Sequence, residues 1–123
     1  MNKDSLYAFY GSLRKGMDNY ERYRDAMVYL YSVRLKDFKL YSRGLYPCVA
    51  KSTPENSVLV EVFRITDPQL EKEIHEMEME EGYVYEEVLI NDQRVGIYVF
   101  ENIENFKEVE SGDWVTFYRE NIG

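Results

Sequence analysis

Residues 5–10 form a compact apolar and aromatic run, and Gly11 and Gly16 then bracket a short segment, a pattern that predicts a strand followed by a loop. Asp18 or Asn19 is suited to cap a helix reaching about residue 29, with Tyr23, Ala26, Met27 and Leu30 spaced along one apolar face. Residues 31–40 alternate instead, turning Val33 and Leu35 inward and, after a register break, Phe38 and Leu40. Ser42-Arg43-Gly44 predicts a turn, and Pro47 confines residues 46–50 to an edge or irregular position.

Residues 58–65 carry the clearest strand signal. Val58, Val60 and Val62 share one face, while Leu59, Phe63 and Ile65 share the other with Glu61 among them. A strand apolar on both sides is predicted to be central, which makes Glu61 conspicuous. Thr66 or Asp67 then caps a second helix with Pro68 in its first turn, and Leu70, Ile74 and Met77 recur at helical spacing until Gly82 stops it. Residues 83–90 and 94–100 read as two strands of a hairpin joined through Asn91-Asp92-Gln93. Residues 101–110 are less regular. After the turn Ser111-Gly112-Asp113, residues 114–117 are expected to form a last strand or a tail tied down by the Trp114 indole.

These elements predict one α+β domain over residues 1–123, with a curled mixed or largely antiparallel sheet or barrel flanked by two main helices. The length suits a single core. Twelve tyrosines and six phenylalanines strengthen the strand reading and supply material for the walls of a concave site.

Charge narrows the function. Fifteen Lys and Arg against 23 Asp and Glu give a net charge of −8, and no basic cluster exceeds short pairs such as Arg14-Lys15, so a nucleic-acid partner is not expected. No run approaches the ~20 apolar residues of a membrane span. The opening residues carry no apolar stretch with a cleavage site, which predicts a cytoplasmic location. The lone Cys48, between Pro47 and Val49, reads as a buried small hydrophobe.

Two segments are candidates for chemistry. In YGSLRKG, residues 10–16, a strand ending in Gly-Ser can turn tightly enough to aim successive N–H groups at one anion, with the Ser12 hydroxyl beside them; a plain structural turn is the alternative. The glutamates Glu73, Glu76, Glu78, Glu80 and Glu81 gather near the end of the second helix. Most are expected in water, but Glu78 follows the inward-facing Met77 and can flank the core. Partial desolvation there would raise its pKa toward neutrality and suit proton exchange. His75 is the one histidine, which leaves no histidine-based metal cluster, and no Gly-x-Ser-x-Gly elbow accompanies Ser12.

Taken in order, YGSLRKGMDN, GLYPCVA, VLVEVFRI, IHEMEMEEGYVYEEVLI and SGDWVTFY resemble successive segments of the gamma-glutamyl cyclotransferase-like family, which includes gamma-glutamylamine cyclotransferases and plant avirulence-induced gene products. The resemblance implies that Tyr10, Gly11, Ser12 and Leu13 form a loop whose amides hold a glutamyl carboxylate. It implies Glu78 as general acid/base, with Glu81 as the competing alignment, and Tyr85 at the pocket wall. The implied reaction converts a gamma-glutamyl amine or amino acid to 5-oxoproline, without metal or organic cofactor. His75 stands where the family commonly has aspartate, and Val60 where many members have glycine, so a side chain there is expected to narrow the pocket or to alter close backbone packing. A noncatalytic domain binding an acidic metabolite or peptide carboxylate, and an interaction domain with exposed tyrosines, remain alternatives.

Overall fold

A computed structural model of the chain describes residues 2–122. Its elements are β1 (Leu6–Phe9), α1 (Asp18–Tyr23), a 3-10 turn (Arg24–Ala26), β2 (Met27–Lys36), β3 (Phe38–Arg43), β4 (Tyr46–Lys51), β5 (Ser57–Ile65), α2 (Pro68–Glu80), β6 (Val84–Ile90), β7 (Gln93–Val99), the short β8 (Lys107–Glu108) and α3 (Trp114–Asn121). Five strands form a sheet in the order β2-β5-β1-β7-β6, and three form a second in the order β4-β3-β8. The pairing is antiparallel except between β1 and β7. This is the expected α+β architecture with a mixed sheet, but the strands divide between two sheets where one curled sheet or barrel was expected. The division occurs at Asp37, whose φ of 72° ends β2 and turns β3 out of the larger sheet.

β5 is an interior strand of the larger sheet, as its two apolar faces require. Val58, Val60 and Val62 pack into one core with Trp114 and Val115 of α3 and with Leu40 of β3. Phe63 and Ile65 pack into a second core with Ile74 of α2. Each fully buried side chain of this size contributes ~1.5–3 kcal/mol, so the two faces together anchor the site described below.

The local rules held at α2. The Asp67 carboxylate accepts from the N–H groups of Gln69 and Leu70, at 2.9 and 3.4 Å, and Pro68 occupies the first turn. Gly82, at φ 95°, ends the helix: its N–H donates to the Met79 carbonyl and the Tyr83 N–H to the Glu78 carbonyl, the paired bonds of a Schellman cap. The β6–β7 hairpin turns on Asn91 and Asp92 alone, both at positive φ, with Gln93 already paired to Ile90. β4 is an edge strand, which accommodates Pro47.

Two expectations need correction. The first helix ends at Tyr23, six residues short of the expected end, because Met27–Lys36 pairs with β5 along its length; that ladder overrides a weak helical period. Neither Asp18 nor Asn19 caps it, since the N-cap is Met17. Residues from Trp114 onward form a helix and not a strand or tail. Asp113 caps it, accepting from the Thr116 N–H at 3.4 Å and the Thr116 hydroxyl at 3.0 Å. The two longest helices are therefore α2 and α3.

Candidate functional site

The loop after β1 is held from beneath by Arg14, which is 6% exposed. Its Nε lies 3.1 Å from Glu61 Oε2 and its Nη1 2.8 Å from Asp113 Oδ1, while the Lys15 N–H donates to Glu61 Oε1 at 2.8 Å. Glu61, the acid inside the central strand, is thus the floor of the loop. A buried cation shared by two carboxylates fixes geometry more surely than it adds stability, because desolvation offsets much of the attraction. Asp113 reflects the balance: burial pushes its carboxyl up, but the bonds from Arg14 and Thr116 outweigh this and hold it below its ordinary value.

Above this floor the chain turns on Gly11, whose carbonyl accepts from the Arg14 N–H at 2.9 Å. A Cβ at Gly11 would fall 2.5 Å from the Pro47 Cγ, so only glycine fits under that ring. Asn19 donates to the Ser12 hydroxyl at 2.8 Å, and the Ser12 carbonyl accepts from the Tyr20 N–H at 3.0 Å. Among the described residues, the N–H groups of Gly11, Ser12 and Leu13 meet no protein acceptor. Three successive unpaired donors in a buried turn form a site suited to an anion.

Glu78 is half-buried near the end of α2, and its carboxyl makes no hydrogen bond among the described residues. Burial, and secondarily the charge of nearby Glu81, pushes its pKa up to about 7. Three tyrosines sense its charge. Burial pushes the Tyr83 phenol up to about 12, and Glu78 adds to the rise; Tyr10 and Tyr98 are driven further up, again mainly by burial. All three therefore stay neutral near pH 7. Tyr10 donates to the Tyr98 carbonyl at 2.7 Å, Tyr83 donates to the Pro47 carbonyl, and the Tyr98 hydroxyl pairs with His75 Nδ1 at 2.9 Å.

Loop and acid open on one cavity of about 450 Å³. Tyr10, Gly11, Ser12, Leu13, Glu78 and Glu81 all line it. Tyr85 does not: its ring lies over Gly96, where a Cβ would be 2.6 Å away, and its hydroxyl bonds Asn2 and Glu87. From the segment returning after α2 it is Tyr83 that lines the cavity, brought back beside Glu78 by the Gly82 cap. Sequence reasoning also missed Tyr98, Arg43, Trp114 and Tyr118 as lining residues. The helical spacing of Trp114 and Tyr118 behind Asp113 was the available signal for the last two.

A family profile described as gamma-glutamyl cyclotransferase, AIG2-like, matches residues 7–116. The chain belongs to that family. Solved structures agree. An uncharacterised protein from Pyrococcus horikoshii is 25% identical with a TM-score of 0.79, over 94% of this chain and 93% of that one. The Escherichia coli protein ytfP is 25% identical with a TM-score of 0.71, over 89% and 96% of the two chains. A gamma-glutamyl cyclotransferase, 22% identical with a TM-score of 0.59 over 84% of this chain and 68% of that one, shares the fold. Comparison with curated protein sequences finds no match.

Two residues that depart from the family pattern lie away from the cavity. Val60 is fully buried in the core with Trp114 and does not line the cavity, so of the two expected effects the one on packing is the one its position permits. His75 stands behind Tyr98 and steadies that ring. Cys48 is fully buried, and burial pushes its thiol up to about 11, which fits a packing role. Among the described residues no group of His, Cys, Asp or Glu could hold a metal ion, and no helix is long and apolar enough to cross a membrane.

Proposed function

We propose that the protein closes gamma-glutamyl amines or gamma-glutamyl amino acids into 5-oxoproline and releases the amine. The observation that carries the reading is a carboxyl with a pKa near 7, Glu78, on the same cavity as the unpaired amides of Gly11, Ser12 and Leu13. In this reading the loop amides hold the substrate's alpha-carboxylate. The substrate's own alpha-nitrogen attacks its gamma-carbonyl carbon, the ring C–N bond forms, and the bond to the departing nitrogen breaks. Ring closure moves two protons from the attacking nitrogen to the departing one, and Glu78 carries them in turn. Because both reacting groups belong to one molecule, holding it folded supplies much of the acceleration. Neutral Tyr10, Tyr83 and Tyr98 keep water and stray charge from the acid.

The test offers a panel of gamma-glutamyl amines and dipeptides and measures 5-oxoproline. Glu78→Gln is expected to lose ~10²–10⁴-fold in kcat, the range for a general acid/base, while Glu81→Gln keeps most of it. Full turnover by Glu78→Gln would sink the assignment, and loss confined to Glu81→Gln would move the role to Glu81. Ligand-induced stabilisation with no product from any substrate would instead favour a noncatalytic domain that binds acidic metabolites.

A further inference from the structure

The charged residues lining the cavity are unevenly matched. Asp18, Glu78 and Glu81 are acids, and Arg43 is the one cation among the described lining residues. The loop amides can donate to one carboxylate; a second anionic group on the same ligand would face three acids in a protein of net charge −8 unless Arg43 received it.

Arg43 is built for that task. It ends β3, half-buried, where the hairpin to β4 turns through Gly44 at φ 76°. Its guanidinium carbon lies 4.3 Å from the Phe100 ring centroid and 5.5 Å from that of Tyr83, which fixes the guanidinium over aromatic faces. One N–H donates to the Glu81 carbonyl at 3.3 Å. Among the described residues Arg43 makes no ion pair; it also hydrogen-bonds the Tyr83 phenol, and the rest of its five donors remain for a ligand. The same hairpin carries Pro47, packed on Gly11, and the exposed side chains of Leu45 and Tyr46. The hairpin therefore joins the anion loop to Arg43 and adds apolar surface between them.

We propose that Arg43 is a specificity-determining residue whose guanidinium receives a carboxylate carried by the departing amine, so that gamma-glutamyl amino acids and peptides are preferred over simple gamma-glutamyl amines. The inference rests on the ring-closure reading for which end of the ligand departs. Leu45 and Tyr46 then border the departing amino acid's side chain.

The test compares gamma-glutamyl-alanine with gamma-glutamyl-ethylamide, which lacks only that carboxylate. Dissociation constants are measured by calorimetry in Glu78→Gln protein, with Arg43 present or changed to Met or Lys. A charge-assisted bidentate contact predicts a preference of ~10–100-fold for the dipeptide, falling to near unity in Arg43→Met and partly kept in Arg43→Lys. Equal binding of the two ligands with Arg43 present, binding of neither, or a preference that survives Arg43→Met would overturn the proposal. The first outcome is read without any Arg43 variant, so a misfolded variant cannot hide it. Product formation in protein with Glu78 intact is scored separately. A carboxylate preference without 5-oxoproline removes the ring closure and leaves the Arg43 subsite standing, whereas 5-oxoproline from both compounds without a preference does the reverse.

Discussion

Gly11 lies so close beneath Pro47 that a Cβ on the first would sit 2.5 Å from the Cγ of the second. The anion loop and the β3–β4 hairpin are thereby pressed together at a single point. Gly11→Ala is expected to cost ~1–3 kcal/mol by overpacking and to displace the loop amides, lowering any turnover with it. Pro47→Ala removes Cγ and Cδ, and the remaining Cβ would be 3.7 Å away, so the double variant is expected to recover most of both losses. Urea denaturation and the 5-oxoproline assay on the two single variants and the double check this; additive losses would refute the contact as the cause.

Glu78 gives a pH dependence of definite sign. Its folded pKa of about 7 exceeds its ordinary 4.5, so between those values the folded chain keeps a proton that the unfolded chain releases. Stability from this group is therefore intact below pH 4.5 and declines as pH rises to 7. Glu78→Gln is expected to be more stable than the parent at pH 8 by roughly 1–3 kcal/mol, with the difference vanishing near pH 4. If ring closure proceeds as proposed, with ionised Glu78 taking the first proton, turnover rises with pH through about 7. Denaturation at the two pH values and a kcat/KM profile measure these effects, and a variant less stable at pH 8 contradicts the first.

The Arg14 triad predicts a large loss. Arg14→Met leaves Glu61 buried without its cation, and breaking such a pair on one side costs ~3–5 kcal/mol. The parent should also lose stability as pH falls from the ordinary Asp113 value of 3.8 through its lower folded value, since a depressed carboxyl contributes fully above the first and not below the second. In Arg14→Met that acid-side loss should shrink. Urea titrations at pH 7 and pH 3 test both statements.

Trp114, 1% exposed, belongs at once to the β5 core and to the cavity lining. Trp114→Ala is expected to cost ~3–5 kcal/mol and to loosen ligand binding in the same variant. Denaturation combined with calorimetry on gamma-glutamyl-alanine would show whether the two effects travel together.

The parts of this architecture governed by local rules were legible in the sequence: the interior strand from its two apolar faces, α2 from a Thr66 or Asp67 cap and Pro68, and the hairpin from Asn91-Asp92-Gln93, though Gln93 belongs to the strand. The anion loop and Glu78 were legible as candidates for the same reason. Residues 27–30 misled because apolar side chains there fit a helical period as well as an alternating one, and only pairing with β5 decides between them. Trp114, Val115 and Phe117 suggested a last strand or a tied-down tail, although Asp113 and Thr116 already formed the cap of a helix. Tyr83 and Tyr85 share strand parity, so alternation alone does not say which ring reaches the acid. Arg14 was illegible as a keystone because its partners lie 47 and 99 residues away.

That last separation has a consequence for how the protein is made. An emerging chain can form the first strand and its turn early, but the guanidinium beneath them completes its pairing only once a carboxylate 99 residues further along has been made. The hollow above it therefore sets well after the strand that begins it, and a nascent chain stalled before Asp113 is expected to leave that loop open to protease.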